Sequence, residues 1–210
     1  MKLALIMLCV ALPTPAADWT PLFNGKDLTG WRMVGPGEFV VENGQLKTVG
    51  GMGLLYYAGG TLGHCTLRVV FRTTKERDNA GVFIRLPEEP RDPWYAVHNG
   101  YEVQIDGYDD DWHYTGSLYS LSKVSSRSQK PPGEWNTMDI VLDGQKTTIL
   151  LNETMVNEFH GGQPVPERKR WFEPVRGPRP DAGYIGLQNH NRRDTVYFRE
   201  VSVRPLPSKR

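Results

Sequence analysis

A row of acidic and amide side chains at alternate positions is the feature of this sequence best suited to chemistry. Glu102, Gln104 and Asp106 alternate with Tyr, Val and Ile across the segment 101–106. A period of two is that of a β-strand, so the polar and the apolar side chains lie on opposite faces. The apolar face belongs in a core. We expect the polar face to form the floor of a cleft, and a solvated strand face is the alternative.

Two other predicted strands carry matching polar rows. Arg85 ends one of them, and Gln188 and His190 lie at alternate positions of the other. If both strands share a sheet with Glu102, then carboxylate, amide, guanidinium and imidazole groups converge. Such a set suits a neutral polyol in which an oxyanion develops during reaction. Arg85 could also be a structural ion-pair partner of Glu102, and a lone histidine such as His190 is usually a loop residue.

The spacing of the two carboxylates argues against an ordinary glycosidase. Glu102 and Asp106 lie four residues apart, so their Cα atoms are roughly 13 Å apart on a regular strand. Retaining enzymes hold their two carboxyl groups about 5–5.5 Å apart, and inverting enzymes about 6.5–9.5 Å. The side chain between them, Gln104, cannot titrate. A mechanism that depends on paired carboxylates is therefore disfavoured.

Short strands separated by turn signals must position these residues. Alternating or β-rich segments recur along the chain, with Asn-Gly and Asp-Gly turns in two hairpins, and no segment has a helical period. The sequence thus predicts an all-β sandwich of antiparallel sheets. The predicted strands and hairpins are 39–49, 54–57, 65–73, 78–85, 101–106, 135–152, 155–159, 183–190 and 195–203.

Long predicted loops carry aromatic residues that could contact a sugar. Trp94 lies in the loop 87–99, Trp112 follows an acidic run, and Trp171 lies in the Pro-rich loop 163–182. Loop tryptophans often serve as platforms for sugar rings. We expect Trp94, Trp112 and Tyr119 to contribute to substrate binding. His113 follows three aspartates and could join a cation site, but such acidic turns are usually only solvated.

The N-terminus resembles an export signal. Lys2 precedes an apolar run at 3–12, and small residues follow to Ala17, which is typical of a secretory peptide and too short to span a membrane. Cleavage near Ala17 would leave a mature single domain from residue 18 to 210, exported to the periplasm or the medium. Lipoprotein anchoring through Cys9 is the less favoured alternative.

Composition narrows the partners of the mature chain. Without Lys2 it has 24 basic and 24 acidic residues. No basic excess points to nucleic acid or to an anionic membrane surface. Cys65 is then the only cysteine, so the chain has no internal disulfide and no thiolate metal cluster. The oligomeric state is not indicated by the sequence.

Six ordered motifs and the chain's closing segment give a resemblance to a known family. The segments are 22–31 (LFNGKDLTGW), 79–85 (NAGVFIR), 100–106 (GYEVQID), 115–119 (TGSLY), 134–136 (EWN), 186–190 (GLQNH) and 196–201 (VYFREV). In this order they resemble the 3-keto-disaccharide hydrolase family across essentially residues 18–205. The resemblance implies a concanavalin A-like jelly roll of two curved antiparallel sheets. It also implies an exported enzyme that cleaves glycosides already oxidised to a ketone at carbon 3.

A 3-keto sugar needs a different set of groups from an ordinary glycoside. The ketone acidifies the hydrogen at carbon 2, so a base can remove it, the aglycone is expelled from carbon 1, and water adds later. This requires one base and a group that stabilises the enolate, and an acid for the leaving group is a further option. We expect His190 or Glu102 to be the base. Arg85, Gln104 or a divalent cation held by Glu102 and His190 would stabilise the enolate, and Gln188 and Asp106 would bind the sugar. The alternative function is a non-catalytic carbohydrate-binding module on the same fold.

Overall fold

The computed structural model describes residues 18–208, so the predicted signal peptide at 1–17 lies outside the described part of the chain. Thirteen strands and one short helix follow one another in this part. They are β1 (Thr20–Pro21), β2 (Trp31–Val34), β3 (Glu38–Glu42), β4 (Gln45–Val49), β5 (Gly53–Tyr57), β6 (Cys65–Thr73), β7 (Asn79–Leu86), α1 (Pro93–Asn99), β8 (Tyr101–Asp106), β9 (Asn136–Asp143), β10 (Lys146–Leu151), β11 (Thr154–His160), β12 (Tyr184–Asn189) and β13 (Val196–Pro205).

The strands form two antiparallel sheets, which confirms the predicted all-β sandwich. The eight-stranded sheet has the order β11-β10-β9-β6-β13-β4-β3, and β1 pairs with β13. The five-stranded sheet has the order β2-β5-β12-β7-β8. A single large apolar core, to which both sheets contribute, contains side chains such as Leu67, Phe71, Val82 and Val103. No helix within residues 18–208 is long and apolar enough to cross a bilayer.

Strand β8 shows why the alternating pattern was informative. Tyr101, Val103 and Ile105 are all buried in the main core, as their apolar row predicts. Glu102 and Asp106, on the opposite face, are buried as well. The outer face of the five-stranded sheet is therefore covered, which excludes the solvated strand face that was the alternative for this row.

Helix α1 is a correction to the predicted loop 87–99. Asp92 caps its N-terminus by accepting a hydrogen bond from the Tyr95 amide, and Pro93 occupies the first turn. The helix has only seven residues, too few for a recognisable apolar period. Its buried residues Ala96 and Val97 belong to a second apolar cluster on the outer side of the five-stranded sheet. The other buried members of this cluster are Phe83, Leu86, Leu54 and Tyr56.

The predicted position of Arg85 in the polar cleft is wrong. Its φ of 57° lies in the left-handed region, and the pairing of β7 with β12 is irregular at this point, so strict alternation fails. The guanidinium donates instead to four main-chain carbonyls. Two belong to the β9–β10 hairpin (Gly144 and Lys146), and two to the loop before β12 (Pro180 and Asp181). Arg85 therefore fastens a hairpin and a loop together.

Candidate active site

A cavity of about 640 Å³ lies on the outer face of the five-stranded sheet. Its floor is formed by strand residues, and its walls by α1, the segment after β8 and the loop before β12. We call it the large cavity. The lining residues are Met52, Asn79, Trp94, Val97, Glu102, Gln104, Asp109, His113, Tyr119, Ser120, Arg170, Phe172, Glu173, Gln188 and His190.

Strand register places Glu102 and Gln104 on the floor in a fixed relation to β7. Phe83 pairs with Glu102, and Gly81 pairs with Gln104. A Cβ atom built on Gly81 would lie 2.4 Å from Glu102 Oε1 and 2.8 Å from Glu102 Cγ. The absence of a side chain at Gly81 therefore lets the Glu102 side chain lie across β7, towards β12 and Gln188.

Glu102 has the most perturbed acidity in the cavity. Burial raises the pKa of its carboxyl to about 8, although the charge of His190 and a hydrogen bond from Gln188 lower it in part. A carboxyl group with this pKa is mostly protonated at neutral pH, so it can donate a proton. Glu102 is thus suited to act as an acid or, once it ionises, as a more basic group than an ordinary carboxylate.

His190 forms a pair with a buried aspartate that the sequence did not reveal. Its Nδ1 lies 2.9 Å from Asp194 Oδ2, while its side chain is 43% exposed. Burial lowers the pKa of the imidazole, but the hydrogen bond and charge of Asp194, followed by the charges of Glu102 and Asp106, outweigh it, and the pKa rises above its usual value. Because Asp194 occupies Nδ1, the other ring nitrogen, Nε2, is the atom suited to exchange a proton with a ligand; it has no hydrogen bond within residues 18–208.

Three buried amide oxygens in the large cavity have no hydrogen-bond partner within the described chain. They are Oε1 of Gln104, Oε1 of Gln188 and Oδ1 of Asn79. A buried acceptor without a donor is costly, and sites built for polar ligands often contain such groups. Hydroxyl groups of a sugar are donors that would pair with them. Asn79 was not predicted, although its place two residues before Gly81 on the same face of β7 would have revealed it.

Tyr119 adds a neutral hydroxyl donor to the same cavity. Burial, together with the negative charges of Glu102 and Glu173, raises the pKa of its phenol to about 12. The group therefore keeps its proton at any physiological pH. Its ring lies 5.1 Å from that of His113, which lines the cavity beside it.

A second, smaller cavity of about 290 Å³ adjoins the first at the end of the sheet. The two cavities share Asn79, Asp109 and His190. Asp106 lines only the smaller one, where it accepts a hydrogen bond from Asn79 Nδ2 at 3.1 Å. Asp106 therefore lies beyond the floor of the large cavity, towards the rim.

The structure brings together most of the predicted site residues. Those lining the large cavity are Glu102, Gln104, Gln188, His190, Tyr119 and Trp94. The expected contribution of Trp112 is not found, because Trp112 lines neither cavity. Its main-chain amide donates to Asp110 Oδ1, and its carbonyl accepts a hydrogen bond from the Ser120 amide.

The acidic turn before Trp112 is the one three-residue group of potential metal ligands among the described residues. Potential ligand atoms of Asp109, Asp110 and His113 lie within 4.8 Å of one another. Both ring nitrogens of His113 are already engaged, Nδ1 with Asp110 Oδ1 at 2.8 Å and Nε2 with Ser120 Oγ at 3.0 Å. The turn is also held by Arg127, which donates to Asp111 Oδ1 and to the carbonyl of Asp109.

Comparison with known proteins finds relatives that match most of the chain. A sequence profile described as the 3-keto-alpha-glucoside-1,2-lyase-like domain matches residues 18–204. A 3-keto-disaccharide hydrolase of Bacteroides thetaiotaomicron is 25% identical, over 93% of this chain and 81% of that protein.

Solved structures support the fold. A candidate glycosyl hydrolase from Parabacteroides distasonis superposes with a TM-score of 0.75 at 24% identity, covering 90% of this chain and all of that chain. The carbohydrate binding module CBM66 of Bacillus subtilis gives 0.55 at 14% identity, covering 83% and 95% of the two chains. A Bacillus subtilis protein described as having a galectin-like fold gives 0.59 at 12% identity, covering 90% and 95%. These neighbours confirm the jelly-roll class of sandwich predicted from the sequence.

Proposed function

Because the chain belongs to the 3-keto-alpha-glucoside-1,2-lyase-like domain family, we propose that it cleaves the glycosidic bond of 3-keto-glycosides by elimination. The observation that carries this proposal is that Glu102 and His190 line one cavity whose buried amide oxygens lack donors. Glu102 and His190 differ in acidity and line the same polar cavity. One can therefore remove a proton from the sugar while the other protonates the leaving group.

His190 is the proposed base. Its Nε2 takes the proton from carbon 2 of the sugar, and the electrons of that C–H bond form the enolate of the ketone at carbon 3. Asp194 fixes the ring through Nδ1 and stabilises the imidazolium that forms. The sequence left Glu102 and His190 open as the base. The pairing with Asp194 favours His190.

Glu102 is the proposed acid. When the enolate collapses, the carbon 1–oxygen bond breaks, a double bond forms between carbons 1 and 2, and the ketone is restored. The departing oxygen takes the proton of the Glu102 carboxyl and leaves as an alcohol. The raised pKa of Glu102, about 8, keeps that proton available at neutral pH. Water then adds across the new double bond, and the net result is hydrolysis.

Two neutral donors are proposed to stabilise the enolate oxygen. The Gln104 side chain lines the large cavity and its buried amide oxygen has no partner within residues 18–208. We assign its N–H groups the role of donors to the enolate oxygen. The Tyr119 hydroxyl keeps its proton because the phenol pKa is raised. Donors placed where negative charge develops are worth about 100- to 1000-fold in rate each. They replace Arg85, which the fold holds elsewhere.

The decisive experiment measures release of methanol from methyl 3-keto-glucoside by the purified mature chain. We expect turnover of the ketone and none of methyl glucoside, and a slower reaction when carbon 2 carries deuterium. His190→Ala should lower kcat by about 100- to 10,000-fold, whereas His160→Ala, on an exposed position of the other sheet, should leave it unchanged.

Other outcomes would replace this proposal. Near-wild-type rates in both His190→Ala and Glu102→Ala would remove the assigned roles. Turnover of the unoxidised glucoside would indicate an ordinary glycosidase. Saturable sugar binding without turnover would indicate the carbohydrate-binding module. Complete loss of activity in chelator, restored by a divalent cation, would show that a cation and not Gln104 and Tyr119 stabilises the enolate.

We also propose that the chain is exported after cleavage near Ala17. The basic start and short apolar run of the sequence support this. Mass spectrometry of the protein from its native host should find Asp18 at the N-terminus. An intact N-terminus, or a lipid on Cys9, would contradict it.

A further inference from the structure

Two tryptophans form an exposed aromatic surface at one end of the large cavity. Trp94 on α1 is 39% exposed and Trp171 in the loop before β12 is 64% exposed. Their ring centroids lie 4.7 Å apart with a tilt of 48°. Trp94 also lines the large cavity, so this aromatic pair continues the cavity wall outwards.

The aromatic pair is held in place by main-chain contacts. The carbonyl of Trp171 accepts a hydrogen bond from His98 Nε2 at 2.9 Å and another from the Arg168 guanidinium. Arg179 donates to the carbonyls of His98 and Gly100 at the end of α1. An exposed tryptophan on a fixed backbone presents its ring at little entropic cost, which is a property of ligand-binding aromatic residues.

The register of the sheet fixes the end of the cavity at which the aromatic pair lies. Helix α1 packs over Phe83 and Leu86, and Phe83 pairs with Glu102, so the helix lies at the Glu102 end of β8. His190 shares the smaller cavity with Asp106, which pairs with Asn79 at the other end of β7. The order along the strands is therefore aromatic pair, Glu102, Gln104, and then His190.

We propose that Trp94 and Trp171 form the subsite for the leaving group, and that this group presents an apolar ring face, either an aryl ring or the C–H face of a second sugar. The inference rests on the proposed function, in which Glu102 protonates the departing oxygen and His190 acts at carbon 2. With His190 at carbon 2 and Glu102 at the departing oxygen, the bond from carbon 1 to that oxygen runs from the His190 end of the large cavity towards the Glu102 end. The group attached to that oxygen then lies against the aromatic pair.

The test compares three substrates that differ only in the leaving group: 4-nitrophenyl 3-keto-glucoside, a 3-keto-disaccharide and methyl 3-keto-glucoside. In Trp171→Ala, we expect kcat/KM to fall about three- to tenfold for the substrates with a ring and by less than twofold for the methyl compound. Trp171→Phe should recover part of the loss. A larger loss for the nitrophenyl compound than for the disaccharide would assign the subsite to aryl groups, and the reverse to sugars.

A control variant in the smaller cavity, at the opposite end of the sheet from the aromatic pair, tests whether the effect is specific to the aromatic pair. Tyr108 is exposed and lines only the smaller cavity. Tyr108→Ala should lower kcat/KM equally little for all three substrates. Ring-selective loss in Tyr108→Ala, or equal losses for all substrates in Trp171→Ala, would overturn the proposal.

A binding measurement with unreactive ligands tests the subsite separately from the proposed reaction. Calorimetric titration of unreactive phenyl glucoside and methyl glucoside measures the same selectivity whether or not the chain is an enzyme. We expect Trp171→Ala to weaken phenyl glucoside about three- to tenfold and to leave methyl glucoside unchanged. No selective weakening in the titration would refute the subsite, even if the elimination reaction is found.

Discussion

Replacing Gly81 by alanine is expected to disable the site while the fold stays intact. The new Cβ would lie 2.4 Å from Glu102 Oε1 and 2.8 Å from Glu102 Cγ. Ordinary contact begins near 3.4 Å, so the Glu102 side chain must move by about 1 Å. A misplacement of that size in a reacting group costs about 100-fold in kcat. The backbone of Gly81 is not in the left-handed region, so alanine adds no backbone strain there.

The assay combines steady-state kinetics on methyl 3-keto-glucoside with thermal unfolding. Gly51→Ala is the matched control, because nothing lies within 4 Å of a Cβ at Gly51, and it should retain wild-type kcat. If Gly81 acts through Glu102, then adding Gly81→Ala to Glu102→Ala should cost less than about twofold, since the clashing side chain is gone. A Gly81→Ala protein with wild-type kcat and wild-type Tm would refute the reasoning, as would an undiminished loss in the Glu102→Ala background.

Three further predictions concern charge. The value of kcat should rise with pH as His190 loses its proton, and this rise should lie above the usual histidine pKa because Asp194 raises the pKa of His190. The value of kcat should then fall near pH 8 as Glu102 ionises. A pH–kcat profile without the alkaline fall would contradict the acid role of Glu102. The free energy of unfolding of the wild type should decline between about pH 5 and 8 by at most about 1.4 kcal/mol per pH unit, because the folded protein holds a Glu102 proton that the unfolded chain releases. Glu102→Gln should make this decline less steep in thermal melts. An equal slope in both proteins would refute the prediction. Arg85→Met should lower the free energy of unfolding by about 1–3 kcal/mol because buried carbonyls lose their donor. The exposed control Arg127→Met should lower it by at most about 1 kcal/mol, and equal losses in denaturant titrations would argue against the fastening role of Arg85.

The sequence predicted those parts of the fold that depend on local patterns. The segment at β8 has a strict apolar alternation, and the β9–β10 hairpin has an Asp143-Gly144 turn whose glycine has a φ of 57°. In such segments, side-chain period and turn chemistry specify the strand without reference to the rest of the chain. Helix α1 could not be found in this way, since its seven residues are stabilised by packing on Phe83 and Leu86 and by a cap.

The candidate site was predicted only in part, for similar reasons. Glu102, Gln104 and Gln188 were correctly placed together because regular alternation determines their face. Arg85 was misplaced because a residue at positive φ reverses the expected side. Asp194 was missed because its contact with His190 depends on the turn after β12 and has no periodic signal.

The arginines that hold the loop before β12 bind main-chain atoms. These contacts do not depend on which side chains the loop carries. Arg85 donates to the carbonyls of Pro180 and Asp181, and Arg179 to those of Val175 and Gly177. Every amino acid supplies such a carbonyl, so an exposed side chain such as Trp171 can change by mutation while the loop keeps its course. Glu173 is different, because its buried carboxylate accepts hydrogen bonds from the Lys169 amide and the Arg176 guanidinium. The aromatic end of the large cavity can thus diversify during evolution, or in a designed library, while the chemistry at the His190 end stays constant.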